Sequence, residues 1–458
     1  MIKNDSITKK IGLPYLFGAA LFACTSAFSM SVQAADLGGD CCADLEQRIA
    51  ELEATTATKG NRKVSLTISG WVTEQVMGWS DGLKTDAYVG TSLNDLGNRL
   101  HFDGSAKINS EWSAGYSLRI DVVGANGFVQ DAHNPDGGEG PPDTLNSYWW
   151  VKSERLGRVS VGRQSQATDD VWVDVSGAGS IFAANLVDFD GQNFQLVPNG
   201  SRTRAKARWG DLATCYTTGV GIFADCGGDR TNNIRYDSPT INGFMLSTSY
   251  GEAYYYDFAI RHNYDGPTWT TAFGAGFARN TAHRINAITP DYYAQASFAA
   301  LHKPTGLFGS IYYGHENPEG DYKPTDQLYV KGGVRASLNK LGATVFYGEY
   351  GNDNDMFSGL LGGAVFSGVT DVCDGFAGTG GKIDTACGAA GPNNVKATGS
   401  TFDRFGFGIV QEIDAASAAF WLKYKNYGAD VDFVADGVHG NEDMKHLHIF
   451  ALGGAVFF

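Results

Sequence analysis

The stretch that decides the fold is the last fourteen residues, Lys445-His446-Leu447-His448-Ile449-Phe450-Ala451-Leu452-Gly453-Gly454-Ala455-Val456-Phe457-Phe458. It holds no turn residue except a Gly pair, and its side chains divide between two faces. Strand side chains alternate, so His448, Phe450, Leu452, Val456 and Phe458 share one face. A soluble protein rarely stops in mid-strand on an exposed Phe.

The same pattern runs backward through the chain. Val64, Leu66, Ile68 and Val72 oppose Ser65, Thr67 and Ser69, and Leu100, Phe102, Ala106 and Ile108 oppose Arg99, His101, Asp103, Ser105 and Lys107. Tyr116, Leu118, Ile120 and Val122 oppose Ser117, Arg119 and Asp121, and Leu328, Val330, Val334, Ala336 and Leu338 oppose Tyr329, Lys331 and Arg335. Charges keep to one face, as they must if the other touches lipid, where a mid-bilayer Lys or Arg costs about 2–4 kcal/mol. Strands are expected to begin near residues 64, 98, 112, 145, 158, 231, 243, 257, 268, 290, 307, 326, 342, 402, 416 and 445, sixteen in all. Every second connection is short, and most of the intervening ones are long, notably 166–230 and 351–401. Short turns on one rim and long loops on the other describe an all-β, sixteen-stranded antiparallel transmembrane barrel. No repeat period marks a propeller or β-helix.

Composition agrees. The 458 residues include 60 Gly, 27 Phe, 21 Tyr and 9 Trp, with only 12 Pro. Mean hydropathy is slightly polar, as expected when only every second strand residue is apolar. Lys3, Lys9 and Lys10 precede the apolar run Ile11 to Phe28, and Val32-Gln33-Ala34 resembles a cleavage site, so residues 1–34 read as an export signal. A lipoprotein signal at Leu21-Phe22-Ala23-Cys24 is the alternative, although Phe22 is bulky for it. No other apolar run approaches the ~20 residues of a membrane helix. Removing residues 1–34 takes away three Lys and one Asp and moves the formal charge from −15 to −17. That acidity disfavours nucleic acid as a partner.

Six of the seven Cys follow the signal. Cys215 and Cys226 share one Gly-rich loop, and Cys373 and Cys387 another, so two local disulfides are expected; the absence of CxxC spacing argues against zinc. Between the signal and the barrel, residues 35–63 hold Leu45, Ile49 and Leu52 at 4,3 spacing, the start of a heptad seam that reaches back to Cys42. A small self-associating coil is expected there, with an unpaired amphipathic helix or a linker as alternatives. Residues 64–458 form the barrel.

Four stretches carry a family resemblance: Cys42-Ala43-Asp44-Leu45-Glu46 through Lys59-Gly60-Asn61-Arg62-Lys63-Val64; Gly157-Arg158-Val159-Ser160-Val161-Gly162-Arg163-Gln164-Ser165; Arg235-Tyr236-Asp237-Ser238-Pro239 with Gly243-Phe244; and the terminal strand. Together and in order they resemble a general porin of the alphaproteobacterial outer-membrane family. The resemblance implies a homotrimer in outer-membrane lipid and lipopolysaccharide that admits small hydrophilic solutes and ions by diffusion. It implies no cofactor, gives the terminal Phe458 the part of a barrel-assembly signal, and folds the third long loop, about 166–230, into the lumen.

That loop carries Asp169, Asp170, Asp174, Asp188 and Asp190. It also carries Arg202, Arg204, Lys206 and Arg208 at alternate positions, a basic ladder if the segment is extended. Opposed across a constriction, the two sets would create a transverse field that favours dipolar solutes. Arg99, Arg119, Arg235 and Arg261 are candidates for the pore wall. Arg163 falls by strict alternation with Val159 and Val161, toward lipid, yet the match of Gly162-Arg163-Gln164 to porin strands suggests a pore-facing side chain. Tyr148-Trp149-Trp150, Tyr254-Tyr255-Tyr256, Tyr292-Tyr293 and Tyr312-Tyr313 are expected as interface girdles. Rival readings are a substrate-selective anion or sugar channel, a structural envelope tether, and an enzyme barrel. For the last, the sequence offers no GxSxG, no HExxH and no metal-ligand spacing among its 9 His.

Overall fold

The computed structural model describes residues 64–458 apart from 92–96, 123–129, 135–141, 170, 178–182, 203, 206, 216–225, 227–229, 252–254, 281–289, 320–321, 358–394 and 436–437. The expected signal (1–34), the coil (35–63), Asp170, Lys206, Cys373 and Cys387 all lie outside the described residues.

The described chain forms one closed antiparallel sheet. Its strands are β1 (Thr67–Ser80), β2 (Thr85–Gly90, then Asn98–Lys107), β3 (Trp112–Val122), β4 (Asp143–Ser153), β5 (Gly157–Ser165), β6 (Arg230–Asp237), β7 (Phe244–Gly251) and β8 (Tyr255–Asp265). They continue as β9 (Trp269–Asn280), β10 (Pro290–His302), β11 (Leu307–Pro318), β12 (Thr325–Ala336), β13 (Thr344–Asn354), β14 (Val395–Ile413), β15 (Ala418–Ala435) and β16 (Val438–Asp443, then Leu447–Phe457). Among the described residues this makes sixteen strands, two of them interrupted: both pieces of β2 pair with β1, and both pieces of β16 pair with β15.

The terminal strand closes the barrel. β16 pairs with β1 from Trp71↔Phe457 to Ser80↔His448. At the seam the Gly70 N–H donates to the Phe458 carbonyl at 2.9 Å, and the Phe458 N–H donates back to the Gly70 carbonyl at 3.1 Å. Closure removes the free sheet edges that would otherwise aggregate or face lipid unpaired. Alternation then sorts the side chains: Phe450 and Val456 are exposed outside, while Leu447, Ile449, Ala451 and Ala455 are buried inside.

One rim carries only short connections, such as 108–111, 154–156, 266–268 and 414–417. On the other, 123–142, 166–229 and 355–394 are long, but the β1–β2, β7–β8 and β15–β16 connections are tight. Long loops are therefore fewer than the sequence suggested, because the β1–β2, β13–β14 and β15–β16 hairpins extend beyond the expected strand limits; β14 starts at Val395, not near 402. Alternation also divides the aromatic runs. Trp149 and Tyr313 face out, whereas Tyr293 and Tyr312 are buried inside, and Tyr148 and Trp150 share the inward face of β4.

A charge on the outer face should be costly. Ile311→Arg, in the middle of β11, is expected to lower stability by about 2–4 kcal/mol, measured as urea unfolding in phospholipid vesicles.

Candidate functional site: a loop stapled inside the barrel

The described residues of the connection 166–229 between β5 and β6 lie within the barrel, held by the inward faces of most of its strands. At its start, Arg235 on β6 donates to the Ser165 and Gln166 carbonyls at 3.3 and 3.0 Å. Arg261 on β8 donates to the Ala167 carbonyl at 2.7 Å and to that of Asp169. Asp257, also on β8, accepts from the Thr168 N–H at 2.6 Å and its hydroxyl at 2.8 Å. Gly274 and Gly276 on β9 let the backbone lie flat here: a Cβ at Gly274 would collide with the Val171 carbonyl, and one at Gly276 with the Thr168 side chain.

Farther along, the loop's carboxylates meet wall cations. Asp174 pairs with Lys331 on β12 at 2.6 Å. Asp188 pairs with Lys425 on β15, stands 3.5 Å from Arg404 on β14, and accepts from the Tyr427 hydroxyl at 2.9 Å. Asp190 pairs with Lys423 at 2.6 Å and accepts from Gln75 on β1 at 2.9 Å. Arg404, Lys423, Lys425 and Asp188 are all buried. Each charge needs its partner there, because an unpaired buried ion is several kcal/mol unfavourable. Burial works to raise the Asp188 pKa, but Lys425 and Arg404 together hold it down at about 2. Asp174 is likewise desolvated, yet Lys331 keeps it below the ordinary range.

The loop then forms a small hairpin: the Leu196 N–H donates to the Ala207 carbonyl, and the Ala205 N–H to the Leu196 carbonyl, both at 2.8 Å. This hairpin fills the break in β16. The Lys445 N–H donates to the Val197 carbonyl, and the Asn199 N–H to that of Asp443, both at 2.7 Å. Phe194 packs on Trp79 and Trp209 on Phe402, so an apolar cluster lies between loop and wall. Cys215 and Cys226 are disulfide-bonded near the loop's end. Asp211, in a short 3-10 turn, accepts from the Arg208 N–H at 2.8 Å, and burial pushes it up to about 6.

Among the described residues of the ladder segment, Ala205, Ala207 and Trp209 are buried, while Arg202 and Arg208 are exposed and Arg204 is partly so. The ladder and the acidic set are not brought opposite each other, however. Arg204 pairs at 2.6 Å with Asp81 in the β1–β2 turn, and Asp174, Asp188 and Asp190 pair with the barrel wall. Asp169 is buried beside β8. Arg99 pairs with Asp121 at 2.7 Å and lies over Trp71. Arg119 is opposite His101 across β2 and β3. Arg163 stands on the outer face with Val159 and Val161 and not in the pore, because alternation continues unbroken through β5; its Nε donates to the Thr144 carbonyl at 3.2 Å.

The inward side chains His101, Asp103, Arg119, Tyr148 and Trp150 on β2–β4 remain partly exposed. Reading the sequence missed the anchors Arg404, Lys423 and Lys425. The signal for the two Lys was the alternation Leu422-Lys423-Tyr424-Lys425-Asn426-Tyr427, which puts both Lys and Tyr427 on one polar face.

A closed barrel with a polar interior and a loop laid along its inner wall defines a membrane channel. The chain belongs to the Gram-negative porin family, which it matches over residues 19–367. It is a channel of the bacterial outer membrane through which small solutes diffuse. Solved structures similar to it include OmpT of Vibrio cholerae in a trimer form (11% identity, 86% of this chain and 99% of that one, TM-score 0.48). Others are OmpF of Salmonella typhi in complex with daunomycin (10%, 86% and 98%, 0.47) and a variant of the Rh. blastica porin (12%, 86% and 100%, 0.42). No curated protein matches the chain.

Two outcomes follow. Lys423→Met leaves Asp190 buried without its cation and is expected to cost about 3–5 kcal/mol, read as a lower urea midpoint together with noisier, larger single-channel currents. The pH dependence has a definite sign: Asp174 and Asp188 have lowered folded pKa values, so their contribution is complete above the unfolded value of 3.8 and is lost as pH falls toward about 2. Asp211, raised to about 6, acts oppositely, its contribution falling as pH rises from 3.8 through 6. Channel noise recorded from pH 7 to 2.5 should therefore fall slightly between pH 7 and about 4, as Asp211 is protonated, and rise below about pH 4, as the Asp174 and Asp188 pairs are lost.

Proposed function

We propose that the chain is a general diffusion porin whose lumen is reduced by the stapled loop to a passage between the loop and the β2–β4 wall. The observation that carries this is the set of buried pairs Asp174–Lys331, Asp188–Lys425 and Asp190–Lys423, which fix the loop inside. Those pairs also spend the loop's carboxylates on the wall. The partly exposed Arg119 and the exposed Arg202 and Arg208 outnumber the partly exposed Asp103, favouring a modest preference for anions. Tyr148 and Trp150 on the free wall give an aromatic surface that a sugar-selective variant of this reading would use.

Membership of the alphaproteobacterial branch is supported by the four stretches quoted above. We take residues 1–34 as a removed export signal, 35–63 as a periplasmic helical segment able to tether the barrel to the envelope, and 64–458 as the porin. A homotrimer in outer-membrane lipid and lipopolysaccharide, without catalytic activity, completes the reading.

Planar-bilayer recording under a KCl gradient tests it. Ohmic steps in groups of three, with a reversal potential shifted toward that of chloride, are expected. Small saturating currents blocked by a single solute would replace the diffusion reading with a selective one.

A further inference from the structure

Two charged side chains stand where lipid should be. Glu74 is the eighth residue of β1 and is exposed on its outer face between the exposed Val72 and Val76. Arg163 is the seventh residue of β5 and is exposed on the outer face beside Val161, near Ile234. Both strands rise from the short-turn rim. At about 3.3 Å per residue and a tilt of about 35–45°, six or seven residues lift each charge roughly 15 Å above the start of its strand, within the ~25 Å apolar band of such a barrel.

The wall beside Glu74 is also broken. The β1–β2 ladder stops at Gly90 and resumes at Arg99. Across the gap the Thr73 N–H donates to the Asn98 side chain at 2.6 Å, and the Trp71 indole N–H to the Gly97 carbonyl at 2.7 Å. Glu74 accepts from Asn98 at 3.1 Å and Thr91 at 3.2 Å. Irregular backbone and a carboxylate are tolerated at membrane depth only where protein or water covers them.

We infer that these two outer faces meet in the assembly, with Glu74 of one copy pairing with Arg163 of the next. The inference rests on the trimer reading above and names its contact. A cyclic trimer joins two different patches of each subunit. β1 and β5 are four strands apart in a sixteen-stranded wall, about a quarter of its circumference, so one copy can present both patches to two neighbours. The patches carry opposite charge at equal depth, and each is costly against lipid alone. A second copy of this chain supplies the missing partner to both at once. It also explains why Arg163 keeps its outward place in a strand whose neighbours face lipid.

The test uses the full-length protein in detergent and in vesicles. Glu74→Arg and Arg163→Glu should each lower the temperature at which the trimer dissociates, read by native mass spectrometry, and the double exchange should recover it. Because a reversed charge could prevent folding, Glu74→Cys combined with Arg163→Cys provides a second arm. It should give covalent trimers under oxidation, with no cross-link from either single variant. A stable wild-type trimer that neither responds to reversal nor cross-links through this pair overturns the inference and leaves the trimer standing. A wild-type monomer overturns both.

Discussion

Everything inside this barrel depends on carboxylates of one loop meeting cations of the wall out of water. Asp174, Asp188 and Asp190 on the loop face Lys331, Lys425, Arg404 and Lys423 on three strands. In bulk water such pairs would be worth little. Buried, each is favourable only with its partner present, so the loop has one placement that satisfies all of them. The pairs therefore do less to raise total stability than to select a geometry. They turn a long connection into a fixed part of the channel wall.

The barrel makes that placement possible through its alternation. Each strand sends one row of side chains to lipid and the other inward, so cations excluded from the outer face gather where the loop can reach them. Small residues on β9 clear the path at the loop's start, and the gap in β16 gives its hairpin a backbone to bond. The loop thus follows a track set by the wall, and the proposed passage is what remains between it and β2–β4. Where the outer face breaks its own rule, at Glu74 and Arg163, the same physics points outward to another subunit.

The barrel was readable because periodicity of two, turn lengths and the terminal strand all report on backbone geometry, which is local. Thirteen of the expected strand starts fall within three residues of the observed ones, and the three displaced starts, at β2, β14 and β16, mark strands that begin earlier in the chain than the alternation pattern suggested. The inner arrangement was not readable in the same way. Asp188 and Lys425 are 237 residues apart, and nothing local says which inward cation a loop carboxylate will meet. Loop sequence made Asp188 and the Arg202–Arg208 ladder look like opposing halves of one site, but chain folding set both against the same side of the barrel, Asp188 on β14 and β15 and the ladder's hairpin on β16 and the β1–β2 turn. Alternation placed Arg163 outside correctly, and the motif match misled.

The central claim is that residues 183–198 belong to the wall and not to a free loop. Hydrogen–deuterium exchange of the folded protein in detergent micelles at pH 7 measures this directly. Protection of this segment comparable to that of β14 and β15 is the predicted result. Exchange within seconds across the whole segment, with the strands still protected, would contradict it.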